Sequence, residues 1–318
     1  MSFYTGIGAS VQIGKEAIFK TSVAPDTLLD ITSESIKVSV EKGDEGSLLA
    51  SKTAASRDLL AVTVSGSLSI ILKPEFAGLL FHLALGGADA VTKSTDGASV
   101  HKISLCGANE NLPSATVVVD RKVVVKKYSG VTISALNIDA AAGDYVKGSI
   151  DIVGVKEEVG TLTPSLDTFS IPSYRCTQAV FKIGGEVFDI SSCSIKIDNA
   201  LETAPKTYAS GLYAGQPQHG RRSVTISFEI PYGANIETLK EQYLTTEESA
   251  SVELLFTSSK AEYSVKTLIP NLSINDISAN VGGTGILTAS VSGEALSVGK
   301  TEPITVEISD KTETPYGD

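Results

Sequence analysis

Tryptophan is absent, methionine occurs once, and aromatic residues make up 6% of the 318-residue chain. Platforms that stack sugars need exposed aromatic faces, so this shortage argues against a carbohydrate-binding module. Cysteine occurs three times, as Cys106, Cys176 and Cys193, an odd and unpatterned set. The expectation is reduced thiols in a protein made and kept in a cytoplasm, without a disulfide framework. The three histidines are His82, His101 and His219, and no two His or Cys fall at metal-ligand spacing, which argues against a zinc site. No apolar run approaches the length of about eighteen residues that a membrane span needs. The N-terminal stretch has no basic segment leading into an apolar core, so no secretion signal is expected. Positive charge is in deficit: the formal net charge is −11. Affinity for phosphate rests on Lys and Arg, so a dedicated nucleic-acid binder is disfavoured.

What is present is β-forming sequence with one conspicuous unit, residues 60–87. Val62, Val64, Leu68, Ile70 and Leu72 alternate with Thr63, Ser65, Ser67 and Ser69, the period of a strand with one buried face. The period then changes. Pro74 can open a helix, Phe76, Leu79, Leu80 and Leu83 follow at helical spacing, and Gly86-Gly87 supply a stop. The unit recurs at 223–244. Val224, Ile226, Phe228 and Ile230 alternate, Asn235 offers an N-cap, and Ile236, Leu239 and Tyr243 repeat the helical spacing. Around the two units the chain restarts in register. Asp30-Ile31-Thr32-Ser33-Glu34-Ser35-Ile36-Lys37 is echoed by Asp189-Ile190-Ser191-Ser192-Cys193-Ser194-Ile195-Lys196, and the 287–293 stretch matches 148–154.

The expected fold is all-β with minor α. It comprises two tandem antiparallel β-sandwich or barrel-like domains, each with one flanking α-helix and one long projecting loop. The domains are 1–160 and 173–318, with 161–172 as linker. The long loops are 41–59 and 198–222, and loops of that length are usually functional.

A search for chemistry finds little. His82 reads as a structural residue of its helix. Gly6-Ile7-Gly8 and Gly283-Thr284-Gly285 are lone glycine pairs outside any βαβ unit, so they make no dinucleotide site. Asn137, Asp139 and Asp144 do not match a cation loop. Arg121, Lys122, Lys126 and Lys127 form the one basic cluster. Its functional reading is phosphate contact; its plainer reading is a charged hairpin that guards a sheet edge. No catalytic, cofactor or metal residue is assigned, and weight shifts from an enzyme to a structural or binding protein.

The chain resembles the tail tube proteins of long-tailed bacteriophages, of the non-contractile type with two fused tube domains. The residues that carry the likeness are Gly14-Lys15-Glu16, Ser33-Glu34-Ser35-Ile36, the long loop ending near Arg57, Val64-Ser65-Gly66-Ser67-Leu68 and the helix ending Leu83-Ala84-Leu85-Gly86. The second copy lacks the Ser-Gly-Ser phrase. The resemblance implies rings of three chains with sixfold pseudo-symmetry, stacked into a hollow tube. Genomic DNA would transit that tube without specific binding, and a tape measure protein and tail terminator or tip proteins would be partners. It implies residence in the virion tail after synthesis in the host cytoplasm. By resemblance, the long loops reach neighbouring subunits or the next ring. The candidate contact residues are Glu41, Lys42, Asp44, Glu45, Leu48, Leu49, Lys52 and Arg57 in the first loop and Lys206, Tyr208, Leu212, Tyr213, Arg221 and Arg222 in the second. The same features also suit a tail-tip or adhesin-like binding module, or the tube of a contractile tail or related injection device.

Overall fold

The computed structural model describes residues 5–44, 57–93, 97–166, 168–202, 208, 210–246, 248–279 and 287–316. The N-terminal half runs β1 (Ser10–Lys15), β2 (Thr27–Leu29), β3 (Ile31–Glu34), β4 (Lys37–Gly43), β5 (Asp58–Ile71), α1 (Pro74–Leu85), β6 (Gly86–Lys93), β7 (Ser99–Leu105), β8 (Ala115–Asp120), β9 (Val125–Ala141), β10 (Lys147–Gly154) and β11 (Lys156–Val159). The C-terminal half runs β12 (Ala179–Ile183), β13 (Glu186–Val187), β14 (Ser192–Asp198), β15 (Leu201–Glu202), β16 (Gln218–His219), β17 (Ser223–Pro231), α2 (Ala234–Leu239), β18 (Ala250–Thr257), β19 (Ser264–Ala279), β20 (Thr288–Ala295) and β21 (Thr305–Asp310). The fold is thus all-β with two short helices.

Two layers emerge from the pairings, which are antiparallel. One is a continuous sheet in the order β4–β5–β10–β9–β14–β17–β20–β19, with β3 beside β4 on β5. The other is split. In the N-terminal half it runs β2–β1–β8–β9–β11. In the C-terminal half it runs β13–β12–β18–β19–β21–β7–β6. The long strands β9 and β19 belong to both layers. The first part of each pairs in the split layer and the last part in the continuous one. A strand that switches sheets in this way makes the corner of a sandwich.

Pairing order therefore recurs along the chain, down to the irregularities. β10 pairs with β9 across a bulge at Ala135 and Ile133, and β20 pairs with β19 across a bulge at Asp276 and Ile274. One detail differs from the sequence match of 148–154 with 287–293. Gly148 lies opposite Ile70 on β5, and it is Ala289 that lies opposite Ile230 on β17, so the true register is two residues further on. A shift of two keeps every side chain on its face, so the alternating pattern cannot detect it.

The α1 helix starts at Pro74 after Lys73 and ends at Gly86, whose φ of 75° is the left-handed cap that glycine adopts without strain. Every α1 residue except Glu75 is buried. The helix is apolar all round and is enclosed rather than laid on the outside as a cover. Phe169 packs edge-on against Phe76 at 6.3 Å, and Glu75 accepts the Ser170 and Ile171 N–H groups at 2.9 and 2.7 Å. These contacts hold the 161–172 stretch against the N-terminal half. The second helix is shorter. Its N-cap is Gly233, not Asn235, and it passes into one π-turn over Lys240–Leu244.

Candidate functional site

Among the described residues no group of His, Cys, Asp or Glu is arranged to hold a metal ion. The basic cluster is neutralised pair by pair. Arg121 donates to both Glu34 carboxylate oxygens, Lys122 meets Asp120 at 3.2 Å, Lys126 meets Glu157 at 2.5 Å, and Lys127 meets Glu158 at 3.1 Å. The cluster is a charged hairpin, as one reading had it, but it guards no sheet edge: Lys126 and Lys127 lie on β9, which is flanked by β8 and β11. The Glu34 carboxyl is held below its usual range, chiefly by the Arg121 hydrogen bond.

The two halves join through β9 and β14. Ile138 faces Ile195 and Leu136 faces Ile197, and all four side chains are buried. The opposite face of the continuous sheet is polar. One cross-strand row runs Ser33, Ser69, Ser149, Asn137, Lys196, Thr225, Glu294, Ser273. Neighbouring rows on that face add Asp139, Asp151, Asp198, Glu229 and Asp276 against Lys37 and Lys147, so carboxylates outnumber ammonium groups. The sheet ends in β4 on one side and the last part of β19 on the other. Among the described pairings neither strand has an outer partner. Half-exposed Val38 and Ile277 sit on these edge strands, where Ile197 and Leu136 sit at the internal junction.

A strap reinforces the internal junction. The β6–β7 hairpin leaves the end of α1 and adds to β21 of the other half, Ile103 opposite Val306. Behind it, His101 is fully buried. Its Nδ1 faces Asp89 Oδ2 at 2.8 Å, and its Nε2 faces Thr312 O at 2.9 Å and Asp310 Oδ1 at 3.3 Å. Both ring nitrogens face acceptors, an arrangement that favours the protonated ring, which can donate from both. Burial opposes that charge, and the hydrogen bonds to Asp89 and Thr312 with nearby Asp310 outweigh it, raising the pKa above its ordinary 6.5. Tyr316 closes the cluster. Its N–H donates to Asp89 Oδ2 at 2.7 Å, and its hydroxyl donates to Asp310.

The sequence-selected loop residues divide. Glu41 and Lys42 lie in β4, which continues further than the 41–59 loop allowed, and both are exposed. Asp44 and Arg57 are exposed at the ends of that strand pair. Glu45, Leu48, Leu49, Lys52 and Lys206 lie outside the described residues. In the second loop, Tyr208 and Arg221 are exposed. The other three turn back onto the N-terminal half of their own chain, where the sequence suggested intermolecular contacts. Leu212 O accepts the Val62 N–H at 3.0 Å, and Tyr213 makes an isolated bridge to Val62. Arg222 donates to Leu85 O at 3.3 Å, to Cys106 Sγ at 3.2 Å and to Cys106 O. Asn199, which sequence reasoning passed over, is buried and donates from Nδ2 to Ala84 O and Ile133 O, each at 3.0 Å. Nothing local marks it: a single Asn after a strand looks like a turn residue.

Among the described residues, the open polar sheet face, the outer strands β4 and β19 and the junction between halves are the surfaces available for association. A comparison with curated proteins finds no match. The family model described as phage tail tube protein matches residues 6–295, nearly the whole chain and both halves of the sheet. The chain belongs to the phage tail tube protein family, a structural component of the virion tail that assembles with copies of itself into a tube.

Proposed function

We propose that three copies of this chain close into a ring with sixfold pseudo-symmetry, and that stacked rings form the hollow conduit through which the phage genome leaves the particle. In this reading the chain is an internal duplication, 1–160 and 173–318, joined by 161–172. The observation that carries it is the β9–β14 junction beside the two open edges. The last part of β19 has the place of β9, and β3–β4 has the place of β14. Copying the internal register onto the next subunit sets Ile277 opposite Val38 and Asp276 opposite Ser39. That burial would cover two half-exposed apolar side chains as their counterparts are covered within the chain. Head-to-tail contacts of this kind form rings when the rotation closes. Duplication makes half of the junctions intramolecular and so lowers the entropic cost of assembly.

The polar face of the continuous sheet suits the wall of a passage. Its hydroxyls interact well with water, and its surplus carboxylates repel DNA phosphates within about 8–10 Å at ordinary salt. A tape measure protein inside the tube and terminator and tip proteins at its ends are the further partners of this reading, and synthesis takes place in the host cytoplasm. Electron microscopy of the purified protein tests it. Hollow tubes whose rings contain three chains are expected. Two-lobed monomers that persist at high concentration would overturn the reading and favour a binding module.

A further inference from the structure

The two kinds of junction in such a ring differ in chemistry. Within the chain, Asn199, His219 and Arg222 seat on the N-terminal half through their polar side chains. Asn199 and Arg222 donate to carbonyls at the end of α1, and His219 Nε2 reaches Glu110 O at 3.0 Å. The strand registers place Val40, Leu59 and Val62 where Asn199, His219 and Arg222 stand in the second copy. There the polar anchors are replaced by apolar ones. Val40, Leu59 and Leu60, on the paired strands β4 and β5, are 45, 42 and 50% exposed.

The surface that would receive them is apolar too. Leu244, at the end of the π-turn, has the place of Ala84, which receives Asn199 within the chain. Leu296 follows Ala295 as Val155 follows Gly154. Val155 is buried, beside the place where Lys20 reaches back to Ala214 O. Leu296 is 41% exposed, and Val298 beside it is exposed as well.

We infer that Val40, Leu59 and Leu60 form the anchor by which one subunit seats on the next, against Leu244, Leu296 and Val298 of the neighbouring copy. This rests on the ring reading above. The division has a physical reason. A junction formed once, during folding, can be fixed by hydrogen bonds to backbone carbonyls. A junction formed between separately folded chains starts in water on both sides, and apolar groups leave water without giving up hydrogen bonds. Contiguous exposed apolar residues rimmed by polar ones mark such surfaces.

Leu60→Asp and Leu296→Asp test the pairing directly. Each alone is expected to leave the monomer's melting curve unchanged, because both sites are exposed, and to weaken ring assembly at least about tenfold. The two variants mixed in equal amounts should form a heterodimer and nothing larger in sedimentation velocity. The Leu60→Asp chain keeps an intact receiving surface and the Leu296→Asp chain an intact anchor. If the unsubstituted chain forms rings while the mixture stays monomeric, or if Leu60→Asp assembles normally, the inference is overturned and the ring reading stands. If the unsubstituted chain forms no rings, the ring reading fails and takes this inference with it.

Discussion

At the scale of single residues, the most consequential groups are those that tie the ends of the chain to its middle. His101, Asp89, Asp310 and Tyr316 come from β6, β7, β21 and the C-terminal tail, and no local pattern brings them together. The sign of their pH dependence follows from the raised His101 pKa. Stability from this cluster is complete below about 6.5 and is lost as pH rises through the raised value. The melting temperature should therefore fall as pH rises above 6.5, and His101→Gln should flatten that fall while costing about 3–5 kcal/mol at pH 6, where it strands two buried carboxylates. Thermal melts of both proteins across that range check it, and parallel curves would contradict it. Gly78 makes a second case. Alanine there would gain about 0.5–1 kcal/mol of helix propensity. Its Cβ would lie 2.0 Å from ring carbons of Tyr316, so the tail must be displaced. Gly78→Ala should destabilise the protein, and Gly78→Ala combined with Tyr316→Ala should be more stable than Tyr316→Ala alone, a coupling that a double-mutant cycle measures.

At the scale of elements, alternation and helix signals read directly from sequence located β5, α1 and β17: the two strands each bury one face, and the helix is marked by its Pro start and Gly stop. The Ser-Gly-Ser phrase of β5 now has a cause. Between β3 and β4 the chain kinks at Ser35-Ile36, and a Cβ on Gly66 would lie 2.5 Å from Ile36 Cα. In the second half β14 runs unbroken beside β17, Ile195 opposite Ile226, so no glycine is needed and the phrase is absent. Gly66→Ala should cost about 2 kcal/mol or more, read by urea denaturation. A cost near zero would mean that the approach is not close in solution. The β6 strand was missed because Gly86-Gly87 read as a stop; they end the helix, and Gly86 also begins the strand. The α1 helix was expected to cover one side, and is enclosed instead by elements remote in sequence.

At the scale of the whole molecule, the proposed ring sets charge against assembly and apolar burial in favour of it. Subunits of net charge −11 repel one another, and salt shortens the reach of that repulsion to about 8 Å at 0.15 M. Polymerisation should accelerate from low to moderate salt, followed by light scattering. A steady slowing with added salt would point to ion pairs, not apolar contacts, as the main attraction. Asn199 and Gly220, whose N–H groups bond to Ser134 O and Ala200 O, should be protected from hydrogen exchange already in the monomer. Exchange there as fast as in an unfolded chain would show that these residues do not stay seated.

By itself the sequence determined the β class, the strand–helix unit, its recurrence and the kinship to tail tubes. The first three rest on local periodicity, which depends only on which face of an element is buried, and the kinship rests on likeness to the family over residues 6–295. Tertiary structure alone decided that Asn199, Leu212, Tyr213 and Arg222 turn back onto the N-terminal half, that β7 crosses to the other half, and that Val40, Leu59 and Leu60 remain uncovered. Those outcomes depend on which edges and carbonyls meet across long sequence separations. Periodicity carries no record of such meetings, because every strand edge offers the same N–H and C=O groups.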